Sequence, residues 1–214
     1  MVMEKKTGNI KSPGKWLFNQ NIIFTLGVTQ LENLPEESLP EVAFFGRSNV
    51  GKSSLLNSIT NKNKLAYTSK NPGRTRELNF FSISNNSKSL INIVDMPGYG
   101  YAKASKKEID KWTNLSDLYL KSRNNLRRVF LLIDSRRKIM PIDNEVMDVL
   151  DNFAVSYQIV LTKADKILEV ENHAKLVLKE VEKRKAIFPK ILITSSKNKS
   201  GVDEIREEIA NLLN

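Results

Sequence analysis

Residues 46–53 constrain this chain more than any other stretch. Gly46-Arg47-Ser48-Asn49-Val50-Gly51-Lys52-Ser53 fits G-x-x-x-x-G-K-[ST], the spacing of a phosphate-binding loop. The flanks suit it. Val42-Ala43-Phe44-Phe45 reads as a short buried strand leading in, and Ser54 to Ile59 as an amphipathic helix leading out. Gly46 and Gly51 allow a tight turn, so that successive N–H groups converge on phosphate oxygens at a helix N-terminus. Lys52 would set a point charge on the β- and γ-phosphates, and Ser53 would offer its hydroxyl to Mg²⁺. A nucleoside triphosphate is therefore the expected ligand.

Around this loop, strand and helix patterns alternate. Ile22–Val28 is a candidate first strand, and Pro35 to Pro40 a linker. Leu78–Ile83 and Leu90–Asp95 read as strands with Asn85-Asn86 between them, which predicts an antiparallel hairpin. Val129–Asp134 is a continuous apolar run, as in a central strand covered on both faces. Helices are expected at 142–150, 170–185 and 202–213, and strands at 155–161 and 191–194. The expected fold class is α/β, a three-layer P-loop NTPase sandwich. Its central sheet is mostly parallel with one antiparallel hairpin strand, and helices lie on both faces. Residues 1–20 carry Lys5, Lys6, Lys11 and Lys15 with little apolar periodicity and are read as a flexible basic arm. Residues 21–214 are read as one nucleotide-binding domain.

Thr162-Lys163-Ala164-Asp165 falls just past a predicted strand, where open α/β sheets bind ligands. The Asp165 carboxylate can accept from the guanine ring N–H and its exocyclic amino group. Adenine has an acceptor where guanine has that ring N–H. Sites built on paired polar contacts discriminate by about 10⁴ or more. Lys163 would lay its stem along the nucleotide plane. Ser195-Ser196-Lys197, after the next strand, would close the pocket through backbone N–H groups on the guanine carbonyl, with Thr194 beside them. Asp95-Met96-Pro97-Gly98 follows the strand that begins at Leu90. Asp95 can hold Mg²⁺ through water, and the Gly98 N–H can bond the γ-phosphate. Thr75, within Gly73-Arg74-Thr75-Arg76-Glu77, would supply a second Mg²⁺ hydroxyl in a loop that orders with GTP and relaxes with GDP. The expected metal ligands are thus Ser53, Thr75 and Asp95, and the expected catalytic groups Lys52, Thr75 and Gly98.

Charge sets the expectation for partners. With 34 Lys+Arg against 24 Asp+Glu the formal net charge is +10, which favours a polyanion. Lys103, Lys106, Lys107, Lys111, Lys121, Arg123, Arg127, Arg128, Arg136, Arg137 and Lys138 form a basic run beside the expected second switch. Trp112 and Tyr119 within it suit either base stacking or the core of one helix. There is no cysteine, so thiolate metal sites and disulfides are excluded. No apolar run approaches the roughly 20 residues that span a bilayer, and a cytoplasmic monomer is expected.

Taken together, these residues resemble the EngB/YihA family of bacterial GTPases, in the Era-like branch. The similarity runs from about Phe24 to Leu213. It rests on Gly46 to Leu55, Pro72-Gly73-Arg74-Thr75 with Asn79-Phe80-Phe81, and Asp95-Met96-Pro97-Gly98-Tyr99-Gly100-Tyr101-Ala102-Lys103. It rests further on Asp134-Ser135-Arg136, Thr162 to Asp165 and Thr194-Ser195-Ser196. The resemblance implies GTP/GDP binding with Mg²⁺ and a role late in assembly of the large ribosomal subunit. It also implies a need for the protein in normal cell division and septation. The basic run would then meet ribosomal RNA. Thr162 stands where many GTPases carry Asn, and Arg76-Glu77 is more charged than the family pattern after Thr75.

Ras-like enzymes orient the attacking water with a Gln just after the Gly of Asp-x-x-Gly; here that position is Tyr99. Slow intrinsic turnover stimulated by a partner is therefore expected. Asn49 raises the further expectation of K⁺ against the phosphates. Two other readings compete: a metabolic phosphotransferase, for which neither acceptor pocket nor lid is visible, and a septation factor that acts through a protein partner without ribosomes.

Overall fold

The computed structural model describes residues 12–62, 65, 77–100 and 106–213, the stretch 106–113 by its backbone alone. Its centre is β2 (Glu41–Gly46), buried along its whole length. Period-two alternation sends Val42 and Phe44 to one face of the sheet and Ala43 and Phe45 to the other. Both faces must then be covered by helices.

The other strands are β1 (Asn21–Val28), β3 (Leu78–Asn85), β4 (Lys88–Asp95), β5 (Leu126–Asp134), β6 (Tyr157–Thr162) and β7 (Leu192–Ile193). They form one 7-stranded sheet in the order β1-β3-β4-β2-β5-β6-β7. β3 runs antiparallel to both β1 and β4, and the remaining pairs are parallel. The expected hairpin is present one residue later than its Asn85-Asn86 turn. Asn85 pairs with Lys88, and the turn residues Asn86 (φ 45°) and Ser87 (φ 65°) are both left-handed, as a tight two-residue hairpin requires.

The helices are α1 (Pro13–Phe18), α2 (Lys52–Ile59), α3 (Lys106–Ser122), α4 (Pro141–Asn152), α5 (Val170–Val181) and α6 (Val202–Asn211). Apolar residues of α1, α2 and α6 pack on one face of the sheet. Those of α3, α4 and α5 pack on the other. The amphipathic reading of α2 holds: Leu55, Leu56 and Ile59 are buried against Val42, Phe44 and Ile205. Each such side chain contributes roughly 1.5–3 kcal/mol through burial. The last turn of α2 is closed by Arg206 of α6, whose guanidinium donates to the Ile59 and Ser58 carbonyls at 2.8 and 3.2 Å.

The flexible-arm reading of residues 1–20 does not hold over 12–20. Ser12 caps α1, and Leu17 and Phe18 are buried in the core. Gly14 lies so close to α6 that an added Cβ would stand 2.5 Å from the Arg206 carbonyl carbon. Its N–H donates to Glu207 at 3.0 Å. The short helix docks because a glycine permits backbone contact and two large apolar residues follow it.

Candidate nucleotide site

The C-terminal ends of β2, β4, β5 and β6 meet at one edge of the sheet. The chain turns to one side of β2 for β3 and β4, and to the other for β5, β6 and β7. Such a switch point is where open α/β sheets bind ligands.

β2 ends at Gly46, where a Cβ would meet Leu132 Cβ at 2.9 Å and Val50 Cγ1 at 3.0 Å, so only glycine fits. The loop then turns through Asn49 (φ 66°) and Gly51 (φ 106°) into α2 at Lys52. Its outer side is tied to β6 and the loop beyond. Thr162 Oγ1 donates to the Val50 carbonyl at 2.7 Å, and Lys163 Nζ donates to the Asn49 carbonyl at 2.7 Å. A peptide N–H points opposite its carbonyl, so the Gly51 N–H faces away from Thr162. Thr162, which stands where many GTPases carry Asn, is thus a strut between two loops.

Lys52, on the first turn of α2, is buried and bonded to the Asp95 carboxylate at the end of β4. Ser53 follows on the same turn, half-buried. The Ser53 hydroxyl and the Asp95 carboxylate are hard oxygen donors beside the Lys52 ammonium. Among the described residues no group of three or more His, Cys, Asp or Glu could hold a metal. That set fits Mg²⁺, which keeps several waters and takes its remaining ligands from phosphate and a few protein oxygens.

Met96-Pro97-Gly98 continues from β4. Gly98 sits close to the loop, where a Cβ would stand 3.3 Å from Ser48 N and Oγ. Backbone bonds lock the two segments: Ser48 N–H to the Tyr99 carbonyl at 3.0 Å, and Tyr99 N–H to the Gly46 carbonyl at 3.3 Å. The Tyr99 ring meets Phe45 edge-on at 5.0 Å, and its hydroxyl donates to Asp143 at 2.8 Å. Burial, with the neighbouring Asp143 carboxylate and the bond to it, pushes the phenol well above its ordinary value.

The loop expected to read the base lies beyond β6. Lys163 adopts φ 58°, and its Nζ also bonds Asp134 Oδ2 at 2.8 Å. Ala164 N–H donates to the Thr194 carbonyl at 3.0 Å. Asp165 accepts from Ser195 Oγ at 2.6 Å. That bond is the main reason its carboxyl sits below its ordinary value; burial opposes the shift, and Lys166 adds to it. The expected row of N–H groups at 195–197 is reduced. Ser195 N–H donates to the Ser200 carbonyl and Lys197 N–H to Ser195 Oγ, because the segment folds back on itself. Among the described residues, Ser196 retains an N–H for a base carbonyl.

Asp134, at the end of β5, belongs to this site and was not among the expected ligands. Burial pushes its carboxyl up, but bonds from Arg136 and Lys163 prevail and hold it far below the usual carboxylate range. Its place at a strand end beside the loop was the available signal. Of the expected site residues, Gly73, Arg74, Thr75 and Arg76 lie outside the described residues, and Glu77 stands at the entry to β3.

The basic run does not form one surface. Arg123 and Arg128 are buried. Arg123 bonds Glu41 and the Pro35 carbonyl, and Arg128 bonds Glu208 and Gln158 while stacking over Phe188. Tyr119 is a core residue bonded to Glu41. Lys121 and Arg127 flank the start of β5, at the edge opposite the nucleotide loop. Arg136, Arg137 and Lys138 follow the end of β5 and are exposed at the loop's own edge. Lys103, and the side chains of Lys106, Lys107, Lys111 and Trp112, lie outside the described residues.

A glycine-bounded loop at the switch point of a β2-centred sheet, with a base loop tied to it, defines a P-loop GTP-binding domain. The family model described as a 50S ribosome-binding GTPase matches residues 41–163. A probable GTP-binding protein EngB from Rhodospirillum rubrum is 46% identical over 212 residues, covering 98% of this chain and 92% of its own. Another from a Chelativorans species is 51% identical over 211 residues, covering 93% and 92%. The chain belongs to the EngB family of GTP-binding proteins. Among solved structures, a probable GTP-binding protein engB superposes with TM-score 0.63 at 22% identity, covering 81% of this chain and 98% of that one. Aquifex aeolicus Era bound to GDP·AlF4⁻ gives 0.66 at 25% identity, covering 82% and 57%.

Proposed function

We propose that this chain is a GTP-driven switch that acts, as a cytoplasmic monomer, on the large ribosomal subunit late in its assembly. The observation that carries this reading is the exposed cluster Arg136-Arg137-Lys138 at the nucleotide edge of the sheet, in a chain of formal charge +10. Polyanion binding and nucleotide state share one edge there. The matched family's description as 50S ribosome-binding supports the choice of polyanion.

In this reading Asp165 selects guanine and Lys163 flanks the base. Lys52, Ser53 and Asp95 are the groups that would serve the phosphates and Mg²⁺. When bound, Mg²⁺ supplies charge neutralisation to the phosphates. Lys52 leaves Asp95 for the β- and γ-phosphates, and the Gly98 N–H holds the γ-phosphate. Tyr99 is tied to α4 and orients no water, so intrinsic hydrolysis is slow and a partner supplies the missing group. Asn49 is exposed, and among the described residues its side chain has no bonded partner, which leaves its amide oxygen available to K⁺. Equal rates in K⁺ and Na⁺ buffers would remove that element.

Cell division and septation depend on the protein, in this account, through ribosome supply. Depletion in cells tests the order of events. Immature large subunits should accumulate before septation fails. Septation defects with a normal ribosome profile would overturn the proposal.

A further inference from the structure

A cleft of about 250 Å³ opens beside the nucleotide loop, on the side of α4. It is lined by residues 47–50, by the loop after β5, and by Leu132, Ile133 and Met140. Among the described residues five cations line it (Arg47, Arg136, Arg137, Lys138 and Lys163) against two carboxylates, Asp134 and Asp143.

Both carboxylates are already paired. Asp134 accepts from Arg136 and Lys163. Asp143 accepts from the Tyr99 hydroxyl on one oxygen and the Met140 N–H on the other. Arg47, Arg137 and Lys138 are left without a carboxylate partner among the described residues. A guanidinium fork matches the geometry of a phosphate better than any other common anion apart from a carboxylate.

The volume is below the roughly 300–1,000 Å³ of pockets that enclose whole ligands. Among the described residues no aromatic side chain lines the cleft to offer a platform for stacking a base. Those two facts suit the backbone of a polymer over a free nucleotide. We infer that this cleft seats a backbone phosphodiester of RNA between Arg47, Arg137 and Lys138. The inference rests on the ribosomal reading above and names the point of contact. Arg47 also joins the contact to the switch, since it pairs in the backbone with Tyr99 and its guanidinium lies beside Gly100. An RNA phosphate on Arg47 thus touches the nucleotide loop and the second switch together.

The test compares the full chain with two charge-matched double variants. Arg137→Glu with Lys138→Glu alters the cleft; Lys175→Glu with Lys179→Glu alters exposed positions on α5. Arg137→Gln with Lys138→Gln is the milder cleft variant, and thermal unfolding checks each fold. Binding to large ribosomal subunits and to a fluorescein-labelled single-stranded RNA is titrated across salt. The cleft variants should bind roughly 10-fold more weakly, with the log–log salt slope reduced by about 1 to 2, while the α5 variant stays near wild type. Equal weakening of both charge-reversal variants would overturn the cleft and leave the ribosomal reading standing. A wild-type chain that binds neither probe would remove both.

Discussion

The Tyr99 hydroxyl donates to Asp143 at 2.8 Å, joining the residue after the Asp95-Met96-Pro97-Gly98 turn to the first turn of α4. Asp143 also caps α4 by accepting from the Met140 N–H at 2.9 Å. The phenol is therefore a structural tie, and its raised pKa keeps it a neutral donor throughout the working pH range. Replacing Tyr99 by Phe should lower stability by about 1 kcal/mol, the net worth of one such bond. Single-turnover hydrolysis should stay within about two-fold of wild type. A fall of an order of magnitude would place the hydroxyl in the chemistry instead.

Thr162 joins the base loop to the nucleotide loop through its bond to the Val50 carbonyl. Thr162→Val keeps the shape and removes the donor. It should destabilise the protein by about 1–3 kcal/mol, because a buried carbonyl loses its partner. GTP affinity should weaken as well, and Thr162→Ser should restore most of both. Denaturant unfolding and fluorescent-nucleotide titration report the two effects. A Val variant with wild-type values for both would show that the strut is unimportant.

Asp165 is held in its ionised form, chiefly by Ser195. Asp165→Asn should weaken GTP binding at least ~10²-fold, since paired polar contacts to the base are lost. The same variant should gain affinity for xanthosine triphosphate, whose carbonyl accepts from the new amide N–H. Competition titrations with the two nucleotides check this. Retained preference for GTP would move guanine selection away from Asp165.

The carboxyl of Asp134 titrates far below its ordinary value of 3.8. A depressed folded-state pKa contributes stability above the unfolded value, and the contribution is lost as pH falls through the folded one. Wild type should therefore exceed Asp134→Asn in stability by a constant margin near neutrality. That margin should shrink progressively below about pH 4. Chemical denaturation across pH measures it, and a margin independent of pH would rule out the charged tie to Arg136 and Lys163.

The nucleotide loop was legible because its chemistry needs fixed residue types at fixed spacing. The strands were legible because burial on both faces demands continuous apolar runs such as Val129 to Ile133. Charge was legible in amount and not in place. Arg123 and Arg128 read as surface cations, yet each found an acid from a distant element, the buried Glu41 and the partly buried Glu208. Such pairings depend on tertiary contact and leave no local pattern. α1 was missed for a similar reason. Its anchors are only Leu17 and Phe18, and its close approach to α6 shows in sequence as a single glycine, Gly14. Asp134 entered only as part of the family resemblance and Asp143 only as an early helix residue; strand and helix termini bring both to the site, which no local spacing reveals.

The proposed switch has nucleotide state control attachment to the large ribosomal subunit. It is tested most directly by sedimenting the purified protein with immature and mature large subunits, in GDP and in a non-hydrolysable GTP analogue, at two salt concentrations. The expected result is salt-sensitive co-sedimentation that prefers immature subunits and the GTP-like state. Equal binding in both nucleotide states, or no binding in either, would contradict it.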